Sequence, residues 1–144
     1  LIHEQLRGKV DWNIYGAPAE YEHSYYFVQE CSVELDNKVG QTSVGELMEE
    51  LSDCHLLITN DTGTMHLASL MGVRNVAIFG STEPSMSGPL GRGHKVLRNH
   101  VECSPCFLRK CPIDFRCMKG IEPEDVVEAV MELLDEAEPL DEAA

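Results

Sequence analysis

Apolar residues along this chain come in two patterns. In the first, short runs are apolar almost without interruption: HLLITN at residues 55–60 and NVAIFG at 75–80. Runs of this length predict strands, and their continuity predicts a parallel sheet covered on both faces, since a strand with one wet face would alternate. VDWNIYG, residues 10–16, alternates around Trp12 and Ile14 and stops at a Gly-Ala-Pro turn, which predicts a further strand, and HKVLRN (94–99) predicts a short one. In the second pattern, apolar residues recur every three or four positions. Tyr21, Tyr25, Val28 and Cys31 do so within a helix predicted from Glu20 to Cys31. Ser43 and Glu46 form the S-x-x-E signature of a capping box and open a helix through Leu47, Met48 and Leu51 to Ser52 or Asp53. A third helix is predicted from Thr62 to Met71, with Gly72 as its C-terminal cap. A fourth starts at Pro123, runs through Val126, Val127, Val130, Leu133 and Leu134, and carries Glu122, Glu124 and Asp125 where they complement the helix dipole. Ser81 to Gly93 and Cys103 to Cys117 are predicted loops. Strand and helix alternate, so the expected fold is α/β, a Rossmann-like doubly wound parallel sheet.

At 144 residues and 43% hydrophobic composition the chain is about one domain long, and a domain of this size buries roughly 70% of the surface its unfolded chain exposes. The expected domain is residues 1–137, followed by an acidic tail at 138–144. Eleven Lys and Arg face 25 Asp and Glu, a formal net charge of −14. Such a chain repels phosphate backbones and anionic lipid unless a basic patch is strongly segregated, which counts against nucleic acid as a partner. No apolar run approaches the roughly 20 residues that a spanning helix needs. The opening LIHEQLRGK has no signal-peptide layout and looks like the end of a helix whose beginning is absent, so the expectation is an intracellular fragment.

The chemistry concentrates where HLLITN ends. Asp61, Thr62 and Gly63 lie at a strand-to-helix junction, the place where open α/β sheets gather ligands and where a helix N-terminus offers free N–H groups. Thr62 can cap or donate, Gly63 lets a ligand approach the backbone, Thr64 adds a hydroxyl, and His66 lies one turn in. Taken alone, the stretch also reads as an N-cap Asp, two loop residues and a half-buried histidine. A second turn shifts the balance: after NVAIFG come Gly80, Ser81 and Thr82, so two neighbouring strands both end in small, hydroxyl-bearing turns suited to a pyrophosphate.

The run LLITNDTGTMHLASLMGVRNVAIFGSTEP, followed by CSPCFLRKCPIDFRCM, resembles the family 9 glycosyltransferases, the ADP-heptose:lipopolysaccharide heptosyltransferase family. VGQTSVGELMEELSDC and IYGAPAEYE extend the resemblance over nearly the whole chain. It implies a GT-B architecture, two Rossmann-like domains around a cleft, of which this chain would be the C-terminal, donor-binding half. Asp61, Thr62, Gly63, Thr64 and His66 would then surround the donor's phosphates and sugar. Glu20 or Glu22 would match the acidic position after the first strand, and Thr42 with Ser43 a segment bordering the nucleoside. The implied reaction is an inverting transfer needing no cofactor for catalysis, with the base in the absent N-terminal domain and His66 assisting. The implied partners are a nucleotide-sugar donor, ADP-linked, and a glycolipid acceptor reached through the absent domain, in lipopolysaccharide or surface-glycan assembly. The implied location is the cytoplasm, with peripheral association at the inner face of the membrane. Asn75 departs from the family, which commonly has proline there, and is expected to alter a turn. A non-catalytic nucleotide- or metal-binding module and a GT-B sugar-nucleotide epimerase are the competing readings.

Cys103, Cys106, Cys111 and Cys117 form C-x2-C-x4-C-x5-C. In a chain otherwise intracellular in character, clustered thiols point to structural zinc ahead of an iron–sulfur cluster, two disulfides or free thiols. Arg109, Lys110, Arg116 and Lys119 lie between or beside them and make the one basic segment of an acidic chain. Cys31 and Cys54 read as small buried hydrophobes.

Overall fold

The computed structural model describes residues 6, 10–31 and 34–136. The expected acidic tail and the helix-like opening therefore lie outside the described residues, Leu6 apart. The chain divides into two compact units, Leu1–Glu49 and Glu50–Ala144.

In the first unit, strands β1 (Asn13–Ile14) and β2 (Asp36–Asn37) pair in parallel, Asn13 opposite Asp36. β1 is shorter than the segment predicted, and β2 was not anticipated, because two residues are too few to show a period. A 3-10 turn (Pro18–Glu20) leads into helix α1 (Tyr21–Glu30). The Tyr21–Tyr25 stripe does not become a buried face: both tyrosines are half exposed, and the one buried residue of α1 is Ser24. Ser24 Oγ donates to Tyr21 O and accepts from Asn37 Nδ2, so α1 is tied to β2 by polar contact. Gly40, at φ +72°, donates its N–H to Gly16 O, and a Cβ there would come within 2.9 Å of Pro18 Cα. The turns after β1 and β2 are thereby held together at the carboxyl end of the pair.

Helix α2 (Val44–Ser52) begins as its sequence predicts. Ser43 Oγ accepts from Glu46 N–H, and Glu46 Oε2 accepts from Ser43 N–H at 2.7 Å, a closed capping box. The second unit is built on β3 (Leu56–Asn60), β4 (Arg74–Phe79) and β5 (Lys95–Arg98), all parallel and adjacent in chain order. Helix α3 (Gly63–Leu70) crosses between β3 and β4. It ends in a Schellman arrangement: Gly72, at φ +79°, donates to Ser69 O and Val73 N–H to Ala68 O. A one-turn helix α4 (Pro84–Ser87) lies in the segment expected to be pure loop, and another, α5 (Arg116–Lys119), closes the cysteine-rich loop. Helix α6 (Pro123–Asp135) completes the unit.

The two faces of β4 are covered by different helices. Met65 of α3 packs with Ala77 and Phe79, and Asn75 Nδ2 donates to Met65 O and Ser69 Oγ, so residues 75, 77 and 79 face α3. Glu132 of α6 pairs with Lys95, whose register partner is Val76. That places α6, with Val127, Val130 and Leu133 buried, on the other face. Helices on both faces of a parallel sheet are the doubly wound arrangement the continuous apolar runs imply, and they explain why Val76 and Ala77, which point opposite ways, are both buried.

Asn75 is the second residue of β4, fully buried, and so does not shape a turn as expected. Its backbone N–H donates to His94 Nδ1, which leaves His94 Nε2 to donate to Leu90 O at 2.7 Å. The side-chain Oδ1 is buried with no partner.

Candidate functional site

Two strand-to-helix turns meet at the carboxyl end of the β3–β4 pair. The first is Asn60-Asp61-Thr62, the second Gly80-Ser81-Thr82-Glu83. Thr62 occupies the N-cap position of α3 with extended backbone, yet its hydroxyl makes no cap bond and contacts Thr59 Oγ1 at 3.3 Å. The first N–H groups of α3 are thus not satisfied by that side chain. A Cβ at Gly63 would meet no heavy atom of the chain within 4 Å, so the backbone there is open to approach. Asp61 is not the N-cap. Its Oδ2 accepts from Ser87 Oγ of α4 at 3.0 Å, which ties the two turns together. Thr64 and His66 are half buried on the first turn of α3.

The cysteine-rich segment folds onto the second turn. Ser104 Oγ donates to Gly80 O at 2.7 Å, and the N–H groups of Cys106 and Phe107 both donate to Ser81 O. Beneath Gly80 lie Cys117, which is buried, and Met118. A cavity of about 220 Å³ results. It is lined by Asn60, Asp61, Gly80, Ser81 and Thr82 from the two turns and by the four cysteines with Leu108, Arg109, Phe115 and Arg116 from the cysteine-rich segment. Of the residues picked from sequence, the structure therefore gathers Asp61, Gly80, Ser81, Thr82 and the cysteines around one space. Thr62, Gly63, Thr64 and His66 are next to it in the chain without lining it. Glu20, Glu22 and Thr42 belong to the first unit. There Glu20 Oε2 accepts from Ala17 N–H at 2.7 Å and closes the 3-10 turn, Glu22 is exposed at the start of α1, and Thr42 is half buried after the Gly40 turn.

The four thiols share the cavity without forming a ligand set. None of the six cysteines is in a disulfide, and among the described residues no group of three or more His, Cys, Asp or Glu is placed to hold a metal ion. Their anchors differ: Cys103 and Cys106 flank Ser104 and Pro105, with Ser104 Oγ bonded to Gly80 O, and Cys117 is buried in α5. Cys111 faces its own turn, where backbone N–H groups of Ile113, Phe115 and Asp114 hold its thiol below the usual pKa, Phe115 N–H at 3.4 Å from Sγ.

Charge at the site is mixed. Arg116 donates to Asp114 and Glu102, and its guanidinium holds the Asp114 carboxyl below the usual range. Arg98, at the end of β5, donates through Nη1 to both carboxylate oxygens of Glu83, at 3.0 and 2.9 Å. Glu83 caps α4 by accepting from Ser85 N–H and Oγ. Partial burial pushes the Glu83 pKa up, but the Ser85 and Arg98 contacts outweigh it and leave it lowered. Arg98 Nε and Nη2 are buried with no partner. Glu83, Ser87, Arg98 and Ser104 were not anticipated from sequence. The signal for Glu83 was present in Glu-Pro, an acid before proline at a helix start, whereas Arg98 and Ser87 are distant in sequence from what they touch.

A parallel α/β unit with helices on both faces and a cavity at its adjacent strand ends is, as a class, a Rossmann-like domain. Comparison with known proteins narrows the class. The model of glycosyltransferase family 9 (heptosyltransferase) matches residues 11–115, and the chain belongs to that family. It is 35% identical over 112 residues to lipooligosaccharide heptosyltransferase 2 of Campylobacter jejuni, covering 76% of this chain and 35% of the relative. It is 31% identical over 62 residues to lipopolysaccharide heptosyltransferase 2 of Escherichia coli, covering 43% of this chain and 18% of the relative. Among solved structures, a family 9 glycosyl transferase from Veillonella parvula superposes with a TM-score of 0.80 at 25% identity, over 94% of this chain and 40% of the other. The E. coli ADP-heptose lipopolysaccharide heptosyltransferase II does so with 0.78 at 21% identity over the same shares, a likeness of fold. The chain thus spans about a third of the length of the curated relatives it matches most extensively. The matched structures are GT-B enzymes, as the sequence resemblance implied, and the family is one of lipopolysaccharide and lipooligosaccharide heptosyltransferases.

Proposed function

We propose that this chain is the donor-binding half of a heptosyltransferase that takes its sugar from ADP-heptose. The observation that supports the reading is that Asp61, Gly80, Ser81 and Thr82 line one cavity together with Arg109 and Arg116. A diphosphate leaving group gains negative charge as the sugar departs through an oxocarbenium-like state, and it needs donors that are already in place. The Ser81 and Thr82 hydroxyls and the Arg109 guanidinium, which line the cavity, are such donors, joined in this reading by the Thr62 hydroxyl and the N–H groups of Gly63 and Thr64 from the adjoining turn. Asp61, which cannot itself favour a phosphate, suits sugar or ribose hydroxyls. His66 assists the leaving group by donating a proton or hydrogen bond. Within the first unit, Thr42 is the candidate contact for the nucleoside, and Glu20 or Glu22 is the candidate acidic contact of the donor. The base that deprotonates the acceptor comes from the part of the protein beyond this chain, so transfer requires the whole enzyme.

The acceptor in this reading is a glycolipid, and the enzyme works at the cytoplasmic face of the membrane. Supporting that contact, Phe107, Leu108 and Ile113 are more than half exposed beside Arg109 and Lys110, a segregated basic and apolar loop in a chain of net charge −14. Among the described residues, no helix is long and apolar enough to cross a membrane.

Calorimetric titration of the intact protein with ADP, UDP and GDP tests the donor reading. Preference for ADP, weakened at least tenfold by Asp61→Ala or Thr82→Val, is expected. Exclusive preference for UDP, or indifference to both substitutions, would sink it.

A further inference from the structure

We infer that Arg98 is a positioning residue for the donor site, acting through Glu83 and Ser87 to fix the Asp61 carboxylate at the cavity wall. Four contacts make the path. Arg98 holds both oxygens of Glu83 at 3.0 and 2.9 Å. Glu83 caps the single turn α4 by accepting from Ser85. Ser87, the last residue of that turn, lies close enough for its Oγ to reach Glu83 O at 3.5 Å and donates to Asp61 Oδ2 at 3.0 Å. A four-residue helix has no stability of its own, because one turn fixes several dihedrals for a single hydrogen bond. Its geometry is therefore set at its ends, by Glu83 at the start and by the Ser87–Asp61 contact at the finish.

Strand β5 supplies the rigid end of this path. Arg98 stands opposite Phe79 in the register, and Phe79 is fully buried, so the guanidinium is mounted on the sheet and not on a loop. Only one edge of that guanidinium is used: Nε and Nη2 are buried without partners. A carboxylate of ordinary mobility would leave Asp61 free to rotate, whereas here one of its two oxygens is already occupied from the neighbouring turn. The other oxygen remains for a sugar or ribose hydroxyl. The inference rests on the proposed role of Asp61 in donor binding.

The test uses the full-length enzyme with ADP-heptose in steady state and ADP by calorimetry, comparing Arg98→Gln, Ser87→Ala, their double variant and Asp61→Ala, each checked for its thermal midpoint. Arg98→Gln and Ser87→Ala should each raise donor KM three- to tenfold, with kcat and acceptor KM within twofold of the parent. Because both act through one path, the double variant should be no worse than the more affected single variant. Arg98→Lys, which restores one charged hydrogen bond, should recover part of the loss. Multiplying effects in the double variant, or a lowered midpoint with donor KM and ADP affinity unchanged, would overturn the inference. If Asp61→Ala weakens donor binding while Arg98→Gln and Ser87→Ala do not, this inference fails and the donor reading stands. If Asp61→Ala has no effect either, both fail.

Discussion

Replacing Gly80 by alanine adds one methyl group at the point where the second turn meets the cysteine-rich segment. An ideal Cβ there would collide with Met118 Sδ, lie 2.8 Å from Met118 Cγ and stand 3.5 Å from Cys117 Sγ. Both residues belong to α5, and Cys117 is buried, so the methyl cannot be absorbed by moving the thiol. Met118 has to change rotamer and leave the turn. Overpacking of this kind costs about 1–3 kcal/mol, and because thioether side chains repack readily the lower half of that range is expected. For a unit of this size that is a fall in thermal midpoint of roughly 4–8 °C per kcal/mol. The assay is thermal and urea unfolding of Gly80→Ala, Met118→Ala and the double variant. Met118→Ala removes the colliding atoms, so the double variant should lose about 1 kcal/mol less than the sum of the single losses, since residues in contact are not additive. Strictly additive losses, or a Gly80→Ala protein as stable as the parent, would refute the reasoning that this glycine exists to let α5 close on the turn. Donor affinity is a second readout, because Gly80 O and Ser81 O also receive the bonds from Ser104, Cys106 and Phe107.

Three further outcomes are expected. Ser43→Ala should cost about 1 kcal/mol by opening the capping box, with faster amide exchange confined to the first turn of α2; protection unchanged there would contradict the box. Asn75→Val should be neutral or stabilising by about 1 kcal/mol, because it removes a buried, unpartnered Oδ1 while keeping the backbone N–H bond to His94; a loss above about 2 kcal/mol in urea unfolding would show that the Nδ2 bonds to α3 dominate instead. The third concerns pH. Glu83 has a lowered pKa, so the unfolded chain takes up its proton first, and the stabilisation it provides is fully present above the unfolded value of 4.5 and lost as pH falls through the lower folded one. Glu83→Gln should therefore flatten the acid limb of the stability curve below that pH, and an unchanged limb would remove Glu83 from the acid response.

Much of this architecture follows from local pattern. The nearly continuous apolar runs at 55–60 and 75–80 require two covered faces, and the structure supplies α3 on one face of β4 and α6 on the other. The Ser43–Glu46 box and the Gly72 cap are interactions within six residues, so they are complete in the chain's own order. The same holds for the placing of Asp61 and Ser81 at strand ends, since a strand that stops at a small, hydroxyl-bearing turn must present that turn at the carboxyl edge of a parallel sheet.

What sequence order does not contain is which distant groups share a space. The α1 stripe has helical period, but period says only that side chains share a face; burial needs a partner surface, and Tyr21 and Tyr25 remain half exposed. The spacing of the four cysteines is local, but that they line one cavity depends on long-range anchoring, such as the bond from Ser104 Oγ to Gly80 O. Asn75 opens a run that reads as a strand, but that its amide is fully buried follows only from the packing of β4 against β3 and α3. The path from Arg98 through Glu83 and Ser87 to Asp61 joins residues up to 37 positions apart, and no local signal marks it. Periodicity and turn chemistry act over one or two turns of chain, and so they set the elements and the edge at which the site lies. The contacts that position the site's groups are long-range, and they exist only once the sheet has brought three strand ends together.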